Sequence, residues 1–389
     1  MPKNVFRHAK VSGISAVVPQ NEIRLEDELQ FFGGDIKKAR RVTKMAGIDR
    51  RRVAEEGVLP SDLCQYAAEK LFAGLGLERS SVDALIFVSQ HPDYFLPATA
   101  CILQDKLGLA QSCAAFDVNQ GCSGYVYGLW LAFSMVESRA CSRVLLLEGD
   151  VFARVTDQDN RVIAPIFGDC GTATLVEYAA EETKSWFMLG TDGSGAEALI
   201  WPAGRGRLPL PQTPEEYAPY CERLFDASGT PWRLNRTYMD GGAVFDFTLN
   251  VVPDHILDLL CFAQKTPDQI DSLVLHQANR QIMQAIADKV GFLPEKVPME
   301  SFSKYGNLAG ASIPAAICDA LTAVIQNSRQ ELLLSGYGIG LSWASTVLTM
   351  DHVWCSGMQD YETPADHPRP KDILEHWRKK ITGQGESSC

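Results

Sequence analysis

Phe116-Asp117-Val118-Asn119-Gln120-Gly121-Cys122-Ser123-Gly124-Tyr125 is the stretch on which the architecture of this chain turns. A short apolar strand ends at Val118, a glycine-containing turn follows, and from Cys122 to about Ala140 the segment is apolar on nearly every face. A helix without a polar side is a buried one. The pattern therefore predicts a strand feeding a helix at the centre of a layered domain. Cys122 would open that helix, where unpaired N–H groups and the helix dipole favour a thiolate. Free cysteines are mostly small core residues, so Cys122 becomes informative only with partners.

Outward from this turn, the chain repeats itself. Val82-Asp-Ala-Leu-Ile-Phe87, with Gln90 and a helix ending Lys106-Leu-Gly-Leu109, matches Ile270-Asp-Ser-Leu-Val-Leu275, with Gln277 and a helix ending Lys289-Val-Gly-Phe292. Arg143-Val-Leu-Leu-Leu-Glu-Gly149 matches Gln330-Glu-Leu-Leu-Leu-Ser-Gly336. The offsets are 188 from Asp83 to Asp271, 183 from Gly108 to Gly291 and 187 from Leu147 to Leu334. Each half alternates short β-branched runs with longer helical patterns, the mark of α/β layering. The counterpart of the helix after Cys122 follows Asn307, where Leu308-Ala-Gly-Ala-Ser-Ile-Pro-Ala-Ala-Ile317 offers small residues for close approach. Pro314 is tolerable near a helix start. The duplication thus brings Cys122 and Asn307 toward one pseudo-twofold axis.

The 389 residues are 46% hydrophobic with no low-complexity tract, enough for one large domain or two fused ones. No apolar run approaches the length of a membrane span, and Met1–Lys10 lacks the apolar stretch of a signal peptide. Eleven cysteines, an odd number without a Cys-x-x-Cys pair, fit neither a disulfide framework nor a zinc site. A reduced, cytoplasmic protein without structural metal is expected. The net charge of −12 argues against a nucleic-acid partner. Yet eight of the 36 basic side chains cluster at Lys37, Lys38, Arg40, Arg41, Lys44, Arg50, Arg51 and Arg52. Such a run is commonly a solvated helix face; the alternative is a docking patch for an acidic or phosphorylated partner.

The repeat supplies further polar groups at element junctions. Leu273-Val-Leu275 reads as a strand, and His276-Gln-Ala-Asn279 stands at its C-terminal end, where ligand-binding loops of open α/β sheets concentrate. His276 alone could be a satisfied core histidine, and Asn307 in Tyr305-Gly-Asn-Leu-Ala-Gly310 a plain turn residue. Ser335-Gly-Tyr-Gly-Ile-Gly-Leu-Ser-Trp343 sets three glycines between two strands. Glycines there admit close approach of backbone N–H groups to a ligand, although a hairpin would use them equally. A Cys, a His and an Asn, each at a junction and two related by duplication, point to a shared site.

Gln120-Gly-Cys-Ser-Gly124, His276-Gln-Ala-Asn279, Gly306-Asn307 and Gly338-Ile-Gly-Leu-Ser-Trp343 resemble, in this order over about residues 10–350, the β-ketoacyl-[acyl carrier protein] synthase III family. The resemblance implies the thiolase-like fold, two duplicated α/β halves in a five-layered αβαβα sandwich, commonly a homodimer. It implies that Cys122 accepts an acyl group, that His276 and Asn307 bind the thioester carbonyl of the second substrate, and that the N–H groups of Cys122 and Gly340 form the oxyanion hole. No cofactor or metal is implied, only phosphopantetheine-bearing substrates: acyl carrier protein, coenzyme A, or both. The chemistry is coherent. An acyl-enzyme splits a hard condensation into two steps, and two neutral donors stabilise the enolate left when a malonyl thioester loses CO2. By the same resemblance the loop His91–Pro97 reaches a partner subunit and Leu96 lines the partner's acyl site.

The chain departs from that pattern in places. Ala39–Lys44 holds no Trp for adenine stacking, the position after His276-Gln-Ala-Asn-x is Gln281 with Arg280 before it, and residues 200–240 form a long polar, Pro-rich insertion. The missing Trp and the basic cluster favour carrier protein over free coenzyme A, docked by Arg40, Arg41 and Lys44, with Arg280 and Lys289 as rivals for that role; Gln281 would alter that docking and the insertion would reshape the entrance. The expected division is a nucleophile half over 1–185, an insertion or cap over 186–240, a second half over 241–350 and a polar tail over 351–389, with a linker at 364–370 and a short amphipathic helix at 371–381.

A papain-like hydrolase shares the Cys, His, Asn order but needs its Cys-Gly-Ser/Ala-Cys string. An α/β-hydrolase needs Gly-x-Ser-x-Gly, and Tyr125 stands two after Ser123. The His276–Asn279 string argues against a type III polyketide synthase, and three reactive residues argue against an inert scaffold. The open alternative to decarboxylative condensation is a non-elongating acyltransferase that moves the acyl group from Cys122 to an alcohol, sugar or amine, with His276 as general base.

Overall fold

Strand faces in this protein are sorted by alternation. In the strand Ala84–Val88, Leu85 and Phe87 point to one apolar cluster while Ala84, Ile86 and Val88 point to another. Both faces are thus covered, as successive side chains of a strand require when a sheet is enclosed. The computed structural model describes residues 2–383. Its first sheet has six strands, in the order Trp354–Tyr361, Ala9–Pro19, Asp169–Tyr178, Arg143–Val151, Ala84–Val88 and Ala114–Val118. The second has five, in the order Lys3–Phe6, Ser185–Thr191, Ser342–Asp351, Arg329–Gly338 and Ser272–Leu275.

The duplication is visible in the pairing. In each sheet a run of four strands pairs antiparallel, antiparallel and then parallel. The helix Gly124–Glu137 and its counterpart Ser312–Ala320 lie in the cluster shared by the inner faces of both sheets. The helices Pro60–Leu75 and Thr99–Lys106 cover the outer face of the first sheet, and Gly241–Ala263 and Arg280–Val290 that of the second. Helix, sheet, helix, sheet, helix is the five-layered thiolase-like sandwich. Among the described residues no helix is long and apolar enough to cross a membrane.

Four local expectations are corrected. The nucleophile helix begins at Gly124, and Cys122 sits in the turn before it. Strand Ser185–Thr191 pairs inside the second sheet, so the insertion starts after it rather than at 186. The N-terminal strand Lys3–Phe6 also belongs to the second sheet. Residues 351–389 are not simply a polar tail: Trp354–Tyr361 pairs in parallel with Ala9–Pro19 at the edge of the first sheet. Each half therefore lends an edge strand to the other, which local periodicity cannot disclose because the partners lie hundreds of residues apart. The amphipathic helix spans Pro370–Thr382, and the segment 384–389 lies outside the described residues.

Candidate active site

Cys122, His276 and Asn307 line one cavity of about 200 Å³, together with Ile166, Phe167, Leu199, Met239, Val244, Phe245 and Tyr337. All three polar residues are buried, at 9%, 2% and 8% exposure. The insertion contributes Leu199 and Met239 through two short paired strands, so it forms part of the wall. The lining is apolar apart from a few polar groups, the usual make-up of a small-molecule site.

The sequence holds Cys122 in place by close packing. Gly338 has φ +156°, and a Cβ there would sit 2.8 Å from Cys122 Sγ, so only glycine fits. Ser123 Oγ lies 2.7 Å from Ser342 Oγ, which in turn donates to Ile339 O at 2.8 Å. The glycine-rich turn is thereby fastened to the nucleophile turn. Gly340 stands two residues beyond Gly338 in the same turn, at φ +137°. Burial pushes the Cys122 thiol up to about 12; the Ile339 backbone opposes this and Asp150 adds to it. Desolvation in this turn thus favours the thiol over the thiolate expected from a helix start, and outweighs the Ile339 backbone contact.

His276 follows strand Ser272–Leu275, and its Nδ1 lies 2.7 Å from Ser312 Oγ, the first residue of the sister helix. Ser312 Oγ already accepts from Gln277 N–H at 3.3 Å. When the Ser312 hydroxyl donates to Nδ1, the imidazole hydrogen stands on Nε2. Burial lowers the His276 pKa to about 4, with the Ala309 backbone opposing. At neutral pH His276 is an uncharged donor. Asn307 is held by the first half of the chain: its N–H donates to Ile166 O at 2.9 Å and its carbonyl accepts from Gly168 N–H at 3.1 Å. Asn307 Oδ1 accepts from Ala309 N–H at 2.9 Å, so the amide NH2 is the free end. Two neutral donors and a thiol in a largely apolar cavity can stabilise charge developing on a thioester oxygen.

One nearby residue escaped the sequence reading. Glu148 lies in strand Arg143–Val151, at the position matched by Ser335 in the second half. Its carboxyl is wedged between the two helix starts. A Cβ on Gly124 would meet Glu148 Oε1 at 2.6 Å, and one on Gly310 at 1.9 Å. Neither carboxyl oxygen has a hydrogen-bond partner among the described residues. Burial first, and Asp150 second, push its pKa well above the ordinary carboxylate value. A charged residue ending the apolar run Val144–Leu147 was the available signal. Gly310→Ala should consequently destabilise the protein by about 1–3 kcal/mol, as overpacking does. Chemical denaturation would measure this, and a stability equal to the unaltered protein would refute it.

The docking candidates divide. Arg51 is buried against Glu28, Arg50 faces Glu22, and Arg52 meets Asp360 at 3.0 Å, because strand Arg50–Arg52 pairs with Glu22–Arg24. Arg40 pairs with Glu26 at 2.9 Å. Arg41 and Lys44 are exposed on helix Ile36–Ala46, with Lys37 and Lys38. Arg280 packs against the end of that helix: a Cβ on Gly47 would meet Arg280 Cβ at 2.7 Å. Asn279, the residue before Arg280, lines the cavity. Lys289 instead donates to Leu249 O at 3.0 Å. Leu96, 81% exposed, lines no part of the cavity in its own chain.

Among the described residues no cluster of His, Cys, Asp or Glu could hold a metal ion. Residues 116–193 match the family described as 3-oxoacyl-[acyl-carrier-protein] synthase III, and residues 260–350 match the C-terminal part of that family. A β-ketoacyl-[acyl-carrier-protein] synthase III of Rhodopirellula baltica is 30% identical over 88% of this chain and 98% of its own length. The crystal structure of a 3-oxoacyl-(acyl-carrier protein) synthase from Burkholderia xenovorans LB400 is 36% identical, with a TM-score of 0.85, over 92% of this chain and 99% of that one. Xanthomonas campestris OleA, 19% identical with a TM-score of 0.72, shares the fold.

Proposed function

The chain belongs to the 3-oxoacyl-[acyl-carrier-protein] synthase III family, and on that premise we propose that Cys122 takes an acyl group from a thioester and condenses it with a malonyl thioester. The observation that carries the reading is the meeting of Cys122, His276 and Asn307, drawn from three junctions of a 389-residue chain, in one apolar cavity.

In the first step Cys122 Sγ bonds the acyl carbonyl while the thiol proton leaves with the departing phosphopantetheine thiol. In the second, a malonyl thioester loses CO2, and the electron pair of the broken C–C bond becomes an enolate. His276 Nε2–H and the Asn307 NH2 donate to the enolate oxygen. The enolate carbon then attacks the acyl carbonyl, releasing Cys122 to regain a proton. The apolar wall disfavours the malonyl carboxylate and keeps water from the acyl-enzyme. Intact-mass analysis with a panel of acyl thioesters, followed by product analysis with malonyl thioester, tests the proposal. Acyl transfer to an alcohol, sugar or amine without CO2 release would replace it.

The proposed donor is acyl carrier protein in the cytoplasm, and the proposed assembly is a homodimer in which Leu96 reaches the partner's acyl site. The exposed cations Lys37, Lys38, Arg41 and Lys44 beside Arg280 support electrostatic steering of an acidic carrier on a chain of net charge −12. Arg40, already paired with Glu26, contributes less. Arg41→Glu combined with Lys44→Glu should raise the KM for a carrier-bound donor about tenfold at low salt. Small thioester mimics should be nearly unaffected. Equal efficiency with coenzyme A and carrier-bound forms, both indifferent to the substitutions, would defeat the steering.

A further inference from the structure

Helix Pro370–Thr382 lies beyond the family match, which ends at residue 350, and none of its residues is buried. Its lead-in is tied to the body: His367 Nε2 lies 3.7 Å from Asp62, and a Cβ on Gly57 would meet Pro368 O at 2.9 Å. The helix itself presents Leu374, Trp377 and Ile381 at 56%, 41% and 80% exposure. At ~100° per residue these three fall within an arc of roughly 60°. A folded chain does not ordinarily leave an apolar stripe of this kind in water.

The charges around the stripe identify what it meets. By the same helical geometry Arg378 and Lys371 border one edge and Lys380 the other, while Asp372 and Glu375 lie round the back. Lys380 Nζ stands 5.3 Å from the Trp377 ring centroid. Between Arg369 and Ile381 there are five basic and two acidic side chains, in a chain of net charge −12. Cations on long aliphatic stems at both edges of an apolar arc, with an indole within it, suit a helix lying in the plane of a lipid surface. The stems follow the apolar face and the charged heads reach the lipid phosphates.

We propose that the helix Pro370–Thr382 docks this enzyme reversibly on an anionic lipid surface, with Leu374, Trp377 and Ile381 inserted and Lys371, Arg378 and Lys380 at the headgroups. One short helix with three large apolar side chains gives weak attachment rather than anchoring. Binding should therefore depend on lipid charge and weaken as salt rises.

The test is co-sedimentation of the full-length protein with vesicles of phosphatidylcholine alone or mixed equally with phosphatidylglycerol. At low salt the protein should pellet with the anionic vesicles and remain in solution with the neutral ones. Arg378→Glu with Lys380→Glu, and separately Leu374→Gln with Ile381→Gln, should each reduce anionic binding by at least about tenfold. Every variant should keep its turnover of soluble thioesters, since the helix lines no part of the active-site cavity. Failure of the unaltered protein to pellet with anionic vesicles overturns the proposal, as does equal pelleting of the variants. Loss of self-association in the Leu374 and Ile381 variant, seen by sedimentation velocity, would overturn it by assigning the stripe to a second copy. Loss of carrier-protein binding in either variant, without loss of vesicle binding, would overturn it by assigning the stripe to a protein partner.

Discussion

Cys122→Ala should take up no acyl group from any thioester and lose at least about 10⁴-fold in condensation rate, the scale on which removing a covalent nucleophile acts. The expectation rests on how tightly the structure commits to this sulfur. Gly338 leaves it room that no side chain could share, and Ser123 ties its turn to Ser342. Intact mass after incubation with acyl thioester gives the decisive reading. A Cys122→Ala protein carrying one acyl group per chain, like the unaltered enzyme, would remove Cys122 from the mechanism. The protonation state adds a second check. With burial holding the thiol at about 12, only a small thiolate fraction exists at neutral pH. Alkylation of Cys122 by iodoacetamide should accelerate about tenfold per unit from pH 7 to 9. A rate already level by pH 7 would mean that the resting group is the thiolate.

Asn307→Ala should still load its acyl group but lose about 10²–10³-fold in condensation, the usual effect of removing one donor from a developing oxyanion. Loading needs the sulfur and the backbone donors near it, whereas enolate formation uses the Asn307 NH2 and His276 Nε2–H. Single-turnover assays separate the steps, and normal condensation after slowed loading would reverse the assignment. His276 sharpens the case through pH. Its pKa is lowered to about 4 by burial, so the imidazole remains neutral down to that range. No acid limb with a midpoint near 6.5 should come from His276. Between about pH 6.5 and 4 the unfolded chain binds a proton at this histidine that the folded one does not. Stability from this group therefore falls as pH falls through that window. His276→Gln should flatten that part of the stability profile.

Much of the candidate site could be read from the chain because its residues mark local transitions. Cys122 stands between an apolar strand and an all-apolar segment, His276 ends a strand, and Asn307 precedes a run of small residues. Glu148 carries only a faint local mark, a charge after the apolar run Val144–Leu147, and such a charge is equally common on a surface. Its burial is created by Gly124 and Gly310, which belong to different halves. The basic cluster divides for a similar reason. Arg51 faces Glu28 and Arg52 faces Asp360, whereas Lys37, Lys38, Arg41 and Lys44 stay exposed on their helix.

Local pattern alone was enough to read the layered α/β class, the internal duplication and the three polar residues of the candidate site. Helical and strand periods, glycine turns and repeated spacing are properties of neighbouring residues, legible without a fold. Long-range packing alone reveals that Lys3–Phe6 and Trp354–Tyr361 cross between the halves, that the insertion walls the cavity, and that Ser312 holds His276. It alone set the direction of each shift, with the Cys122 thiol and the Glu148 carboxyl pushed up and the His276 imidazole pushed down. Desolvation and hydrogen bonding at those groups come from residues distant in sequence, and burial exists only once the layers have closed.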